Sequence, residues 1–283
     1  MKTRLSLLVF SFCLIGSSLL LASCDKIEQD QYWVFAGANG TWYDTDETIP
    51  DTQNAFVEKY TGVRCVNCPK ADEVLHAALG KYGDRLTVVA IHSGPLARPY
   101  GSDEDLRTEN GEAWYSYFGI SSQPAGMVMR TKSGSNWDIF TPTSNFDSKI
   151  DQVLDAPTVV GMKTNSVTDD EGNRAVDVFL SFQQEVADSL TLTVLIIEDK
   201  IYTTQESPAK GKVENYEQNH VLRCAVTDPW GIDVDARGEQ GEKRFIRLYF
   251  DMNPAWNPEN CTLVAFVSDK ATRRILNVVR TQM

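Results

Sequence analysis

Two cysteines three positions apart, Cys65 and Cys68, are the residues whose type and spacing most directly permit chemistry in this chain. A C-x-x-C pair can close a small disulfide ring. At a helix N-terminus its first thiol has the thiolate favoured by unpaired N–H groups and by the positive end of the helix dipole. In that arrangement Cys65 is the exposed attacking thiol, and Cys68, one turn inward, is the resolving thiol that expels a mixed disulfide. Pro69 suits the first helical turn, where a missing N–H costs little. The same pair also admits a plainer role as a structural clip of the helix start. A zinc site lacks partners, because zinc takes four ligands and His76, His92 and His220 stand apart from any second cysteine pair. No P-loop, dinucleotide fingerprint or G-x-S-x-G occurs, so neither a metal nor a cofactor is expected.

The elements that must position this pair read as alternating strands and helices. Strands are expected at Phe56–Tyr60 and Leu86–Ile91, with helices at Pro69–Leu79 and Glu109–Phe118. A strand at Ala125–Met129, a hairpin partner at Trp137–Phe140 and a closing helix at Asn145–Leu154 follow. The order β-α-β-α-β-β-α, with C-x-x-C between the first strand and the first helix, is the thioredoxin arrangement. Such folds place a cis-proline before the third core strand and against the cysteines, which is the position of Pro124. The first strand carries no aspartate to serve as a buried base. Glu58 is its nearest carboxylate, and a solvent-facing role suits it equally.

After Pro157 the helical period disappears. Runs at Val159–Val167, Ala175–Phe182, Leu190–Ile197, His220–Val226, Phe245–Phe250, Leu263–Val267 and Ile275–Val279 read as about seven strands of an antiparallel sandwich. Cys224 and Cys261 are candidates for a bridge within it, the alternative being two buried free thiols.

The chain of 283 residues exceeds what one core usually serves, which favours two domains. With 42% hydrophobic and 23% charged residues it is neither disordered nor a multi-span membrane protein. A net charge of −12 excludes nucleic acid as a partner by repulsion from phosphate. Lys2 and Arg4 precede an apolar stretch from Leu5 to Leu21, too short for an ordinary span and right for a secretory leader. It ends in Leu21-Ala22-Ser23-Cys24, which resembles a bacterial lipobox, so residues 1–23 are expected to be removed and Cys24 lipidated. Lipid at Cys24 would hold the protein to a membrane outside the cytoplasm. Residues 24–53 then form a polar tether that gains order against the first domain. Residues 54–155 form the thioredoxin-like domain and residues 157–283 the sandwich.

Several segments carry a closer resemblance. Tyr60-Thr61-Gly62, Cys65-Val66-Asn67-Cys68-Pro69, Ala90-Ile91-His92-Ser93-Gly94-Pro95, Pro124-Ala125-Gly126-Met127-Val128-Met129-Arg130 and Asn219-His220-Val221-Leu222-Arg223 resemble the twenty-eight-kilodalton outer membrane lipoprotein family of Bacteroidetes. The resemblance implies a cell-envelope lipoprotein with a thioredoxin-like domain followed by an immunoglobulin-like domain. Its implied role is a binding or surface-interaction module for a protein or other extracellular macromolecule, with membrane-tethered thiol–disulfide exchange as the alternative. The chain departs from catalytic thioredoxins at Arg64, where tryptophan is usual, and at Val66-Asn67, where Gly-Pro is usual.

Overall fold

The computed structural model describes residues 40–143 and 146–283; the leader, Cys24 and the first part of the tether lie outside the described residues. In chain order the first half holds β1 (Tyr43–Asp44), β2 (Ala55–Thr61), α1 (Cys68–Tyr82), β3 (Leu86–His92), α2 (Glu109–Tyr117), β4 (Ala125–Val128), β5 (Lys132–Ser133), β6 (Asn136–Trp137) and α3 (Asp147–Leu154). The second half holds β7 (Val160–Thr168), β8 (Arg174–Phe182), β9 (Leu190–Glu198), β10 (Ile201–Ser207), β11 (Gly211–Gln218), β12 (Val221–Ala225), β13 (Ile232–Asp233), β14 (Lys243–Phe250), β15 (Cys261–Asp269) and β16 (Ile275–Gln282). Among the described residues no helix is long and apolar enough to cross a membrane.

Length favours two cores, and two large clusters exist, but they do not divide at the expected chain boundary. A single sheet runs β16-β15-β9-β12-β3-β2-β4, joining strands of both halves. The junction is β12, which pairs antiparallel with β9 and parallel with β3 through Val221 and Ala90. The sheet curls until its ends meet, where the Ile275 N–H donates to the Met129 carbonyl at 3.0 Å. Inside the curl lie Phe56, Tyr60, Met127, Leu195, Ile197 and Phe266, plugged by Trp114 of α2. The opposite faces of β9 and β15 carry Val194, Ile196, Leu263 and Ala265 and pack against a second sheet, β1-β14-β8-β7. Leu190–Glu198 is buried throughout because both of its faces are covered, and it is accordingly apolar except at Thr191, Thr193 and Glu198.

The helices follow from local signals. Thr108 caps α2 by accepting from the Gly111 N–H, with Glu109 and Glu112 in the first turn complementing the dipole. The α1 helix begins at Cys68 and ends at Gly83, whose φ of 58° lies in the left-handed region open to glycine. The closing helix starts at Asp147; Asn145, its expected first residue, lies outside the described residues. The expected partner of β4 is reduced to a bridge between Gly126 and Phe140.

The last part of the tether orders against both halves of the chain, with the Arg85 guanidinium of the first half donating to the Gln53 carbonyl. Tyr43–Asp44 pairs with β14, and the Gln53 and Asn54 amides donate to the Leu276 and Val278 carbonyls of β16.

Candidate functional site at the cysteine pair

The chain reaches Cys65 through a loop held by backbone. Gly62 lies so close to the Leu96 carbonyl that an added Cβ would stand 2.4 Å from its oxygen, so only glycine fits. The Arg64 side chain donates to the Arg98 and Pro99 carbonyls and stacks its guanidinium 4.1 Å from the Tyr100 ring centroid. Arginine at this position therefore clamps the neighbouring loop. Cys65 and Cys68 form a disulfide with a Cα–Cα separation of 5.3 Å, at the start of α1.

Cys65 was expected to be exposed and is not: it is 2% exposed and Cys68 1%. The cover includes an element invisible in the hydrophobic pattern, the β10–β11 hairpin, which forms a sheet of its own. Its Gln205 amide donates to the carbonyls of Gly62 and Cys65, and the Glu206 N–H donates to the Val63 carbonyl. Gln218 donates in turn to Gln205 and Thr203. Tyr216 donates to Asp72, a residue of α1 that also pairs with buried Lys59. Because the buried residues of this hairpin include Thr203, Gln205 and Gln218, alternation of apolar residues does not reveal it.

Pro124 is buried, and the Gln123–Pro124 peptide bond is cis. The Gln123 amide donates to the carbonyls of Thr61 and Ser93, tying the entry to β4 to the strand ends next to the cysteine loop.

Side chains alternate across a strand, so Glu58 and Lys59 face opposite ways. Glu58 is fully buried inside the curl and receives a bidentate pair from Arg130, Nη2 to Oε1 at 2.7 Å and Nε to Oε2 at 3.1 Å. The Arg130 guanidinium lies 4.9 Å from the Trp114 ring centroid and 5.2 Å from that of Phe266. The solvent-facing reading of Glu58 is thus corrected, and its carboxylate is committed to Arg130 on the face away from Lys59.

On the Lys59 face sits His92, 1% exposed, with Gln218 alongside and neither imidazole nitrogen meeting hydrogen-bond geometry. Desolvation, reinforced by Lys59, pushes its pKa down to about 3. The unfolded imidazole takes up a proton near pH 6.5 while the folded one stays neutral, so acid favours unfolding. The stability that His92 contributes is complete above about pH 6.5 and is lost as pH falls towards 3. Relative to His92→Leu, the wild type is expected to lose about 2 kcal/mol more between pH 7 and pH 5. Urea unfolding of both proteins across that range measures it, and parallel curves would contradict it.

Cys224 and Cys261 are both free and buried, which corrects the candidate bridge. Each lies beside β9, on either side of it, opposite Ile196 and Glu198. Two strand spacings of about 4.8 Å place them roughly 10 Å apart, beyond the ~7 Å Cα limit for a disulfide. Burial pushes both thiols up to about 12. Among the described residues no group of three or more His, Cys, Asp or Glu could hold a metal ion.

Comparison with known proteins adds three findings. The family model of Outer membrane protein Omp28 matches residues 111–283, a stretch that starts in α2 and includes the β10–β11 hairpin. No curated protein matches the sequence. Among solved structures, HBP35 of Porphyromonas gingivalis is similar at 17% identity and a TM-score of 0.63, covering 83% of this chain and 77% of that one. That likeness shows a shared fold. Weaker similarities are to AGR_C_4864 from Agrobacterium tumefaciens, at 15% identity and a TM-score of 0.46 over 82% of this chain and 94% of that one. A domain of the outer membrane lipoprotein Omp28 from Porphyromonas gingivalis gives 21% identity and 0.31 over 46% and 92%.

Proposed function

We propose, from the premise that this chain belongs to the Omp28 outer membrane protein family, that it is a binding module of the cell envelope whose Cys65–Cys68 disulfide is a structural clip. The observation that carries this is burial: at 2% and 1% exposure neither sulfur offers a partner thiolate a line of attack. The polar contacts of Gln205 and Glu206 with the cysteine loop support the same reading, because docking a partner disulfide would require displacing them.

In this reading residues 54–155 are a thioredoxin-like domain, residues 157–283 an immunoglobulin-like sandwich, and lipid on Cys24 anchors both to the outer membrane. The order of strands and helices around Cys65 supports the first assignment, and the antiparallel strands packed in two sheets support the second. Cys65, Cys68 and Pro124 then belong to the scaffold, and the ligand surface lies elsewhere. A clip and an exchanger respond differently to Cys68→Ser. An oxidoreductase so altered accumulates mixed disulfides through Cys65 that it cannot resolve, whereas a clip only loses stability. The expected result is no trapped partner in cells, together with no reduction of insulin disulfides by the wild type given an electron donor. Trapped partners would establish thiol–disulfide exchange instead.

A further inference from the structure

The seam where the curled sheet meets itself leaves a cavity of about 390 Å³. Val128, Met129 and Ile275 form its buried floor, and Val153, Val159 and Leu276 its half-buried walls. The cations on its rim are Lys132, Lys149 and Arg274. Asp138, the carboxylate there, is already paired with Lys149. Lys132 and Arg274 have no carboxylate partner among the described residues, and Lys132 sits 4.5 Å over the Trp137 ring. In a chain of net charge −12 such a local excess of cations runs against the overall field and selects an anion.

The floor adds an independent observation. Met129 and Arg130 hold φ of 51° and 49°, two successive non-glycine residues in the left-handed region. Strain of this kind persists where the surroundings over-determine it, and it concentrates at ligand sites. Here it turns Arg130 inward to Glu58 and leaves Met129 lining the cavity.

We propose that this cavity binds a small amphipathic carboxylate, with its acyl chain on the Met129–Ile275 floor and its carboxylate among Lys132, Lys149 and Arg274. At roughly 30 Å³ per heavy atom the space holds about thirteen heavy atoms, so an eight-carbon carboxylate fits within it. Because Val128, Met129 and Val153 come from the first half and Val159, Ile275 and Leu276 from the second, a bound acyl chain touches both halves of the protein. The site is independent of the cysteine pair: a chain whose disulfide proved catalytic would still be expected to bind this ligand, so the two readings fail separately.

The test is calorimetric titration of octanoate into the mature anchored protein in lipid nanodiscs, with empty nanodiscs as background. Saturable binding above that background is expected, at least tenfold tighter than acetate or octan-1-ol and weaker at high salt. Two variants probe the two ends of the ligand. Charge reversal of the exposed rim, Lys132→Glu with Arg274→Glu, and filling of the cavity, Leu276→Trp, are each expected to weaken octanoate at least tenfold. Absence of saturable binding overturns the proposal. So does octan-1-ol matching octanoate, which means an apolar crevice only, or acetate matching it, which means a surface charge patch only. Unchanged binding in both variants places the ligand elsewhere and overturns it too.

Discussion

Replacing Arg130 with alanine is expected to cost about 3–5 kcal/mol, because it leaves the buried Glu58 carboxylate with no other cation paired to it among the described residues. Glu58 is fully buried and Arg130 2% exposed, and the guanidinium is enclosed by the Trp114, Phe118 and Phe266 rings. The pair itself need not be strongly stabilising, since the desolvation of two charges offsets much of their attraction. A double variant separates the two effects: Glu58→Leu with Arg130→Met removes both charges and should recover most of the loss. Chemical denaturation of the single and double variants measures this. A single variant within about 1 kcal/mol of wild type would mean that water reaches Glu58, contrary to its burial.

Phe266→Ala is expected to cost about 3–5 kcal/mol, and the loss should be felt in both halves of the chain. Phe266 belongs to β15, yet its ring centroid lies 5.1 Å from that of Phe56 in β2. Because the sheet and its inner core are shared, amides of β2 and β3 should exchange faster in the variant by about the same factor as those of β15. Exchange accelerated only in β7 to β16 would show that the halves unfold independently and that the shared core transmits little.

Much of the fold is legible because burial leaves a mark on the pattern. From Val160 onward β7, β8, β9, β12, β14, β15 and β16 show continuous or alternating apolar residues and fall within a few positions of expectation. The pairing of β12 with β3 is not legible, since it rests on the long-range meeting of Val221 with Ala90 and nothing in either strand announces the other. Pairing of the tether with β14 is hidden for the same reason. The β10–β11 hairpin escapes notice because Thr203, Gln205 and Gln218 face protein while looking like surface residues. The hairpin decides the character of the site. With Cys65 read from helix-terminus chemistry alone it is an exposed nucleophile; with Gln205 donating to its carbonyl it is a buried half of a clip. Cys224 and Cys261 fail to pair because β9 lies between them, and strand order is the one quantity that spacing along the chain does not carry.

The most direct test of the structural-clip reading is the reduction potential of Cys65–Cys68, measured by thiol tagging after equilibration in defined dithiol buffers. A buried clip is predicted to lie below about −300 mV, resistant to ordinary cellular dithiols. A value between about −270 and −120 mV, the range of working oxidoreductases, would contradict it and restore Cys65 as a nucleophile.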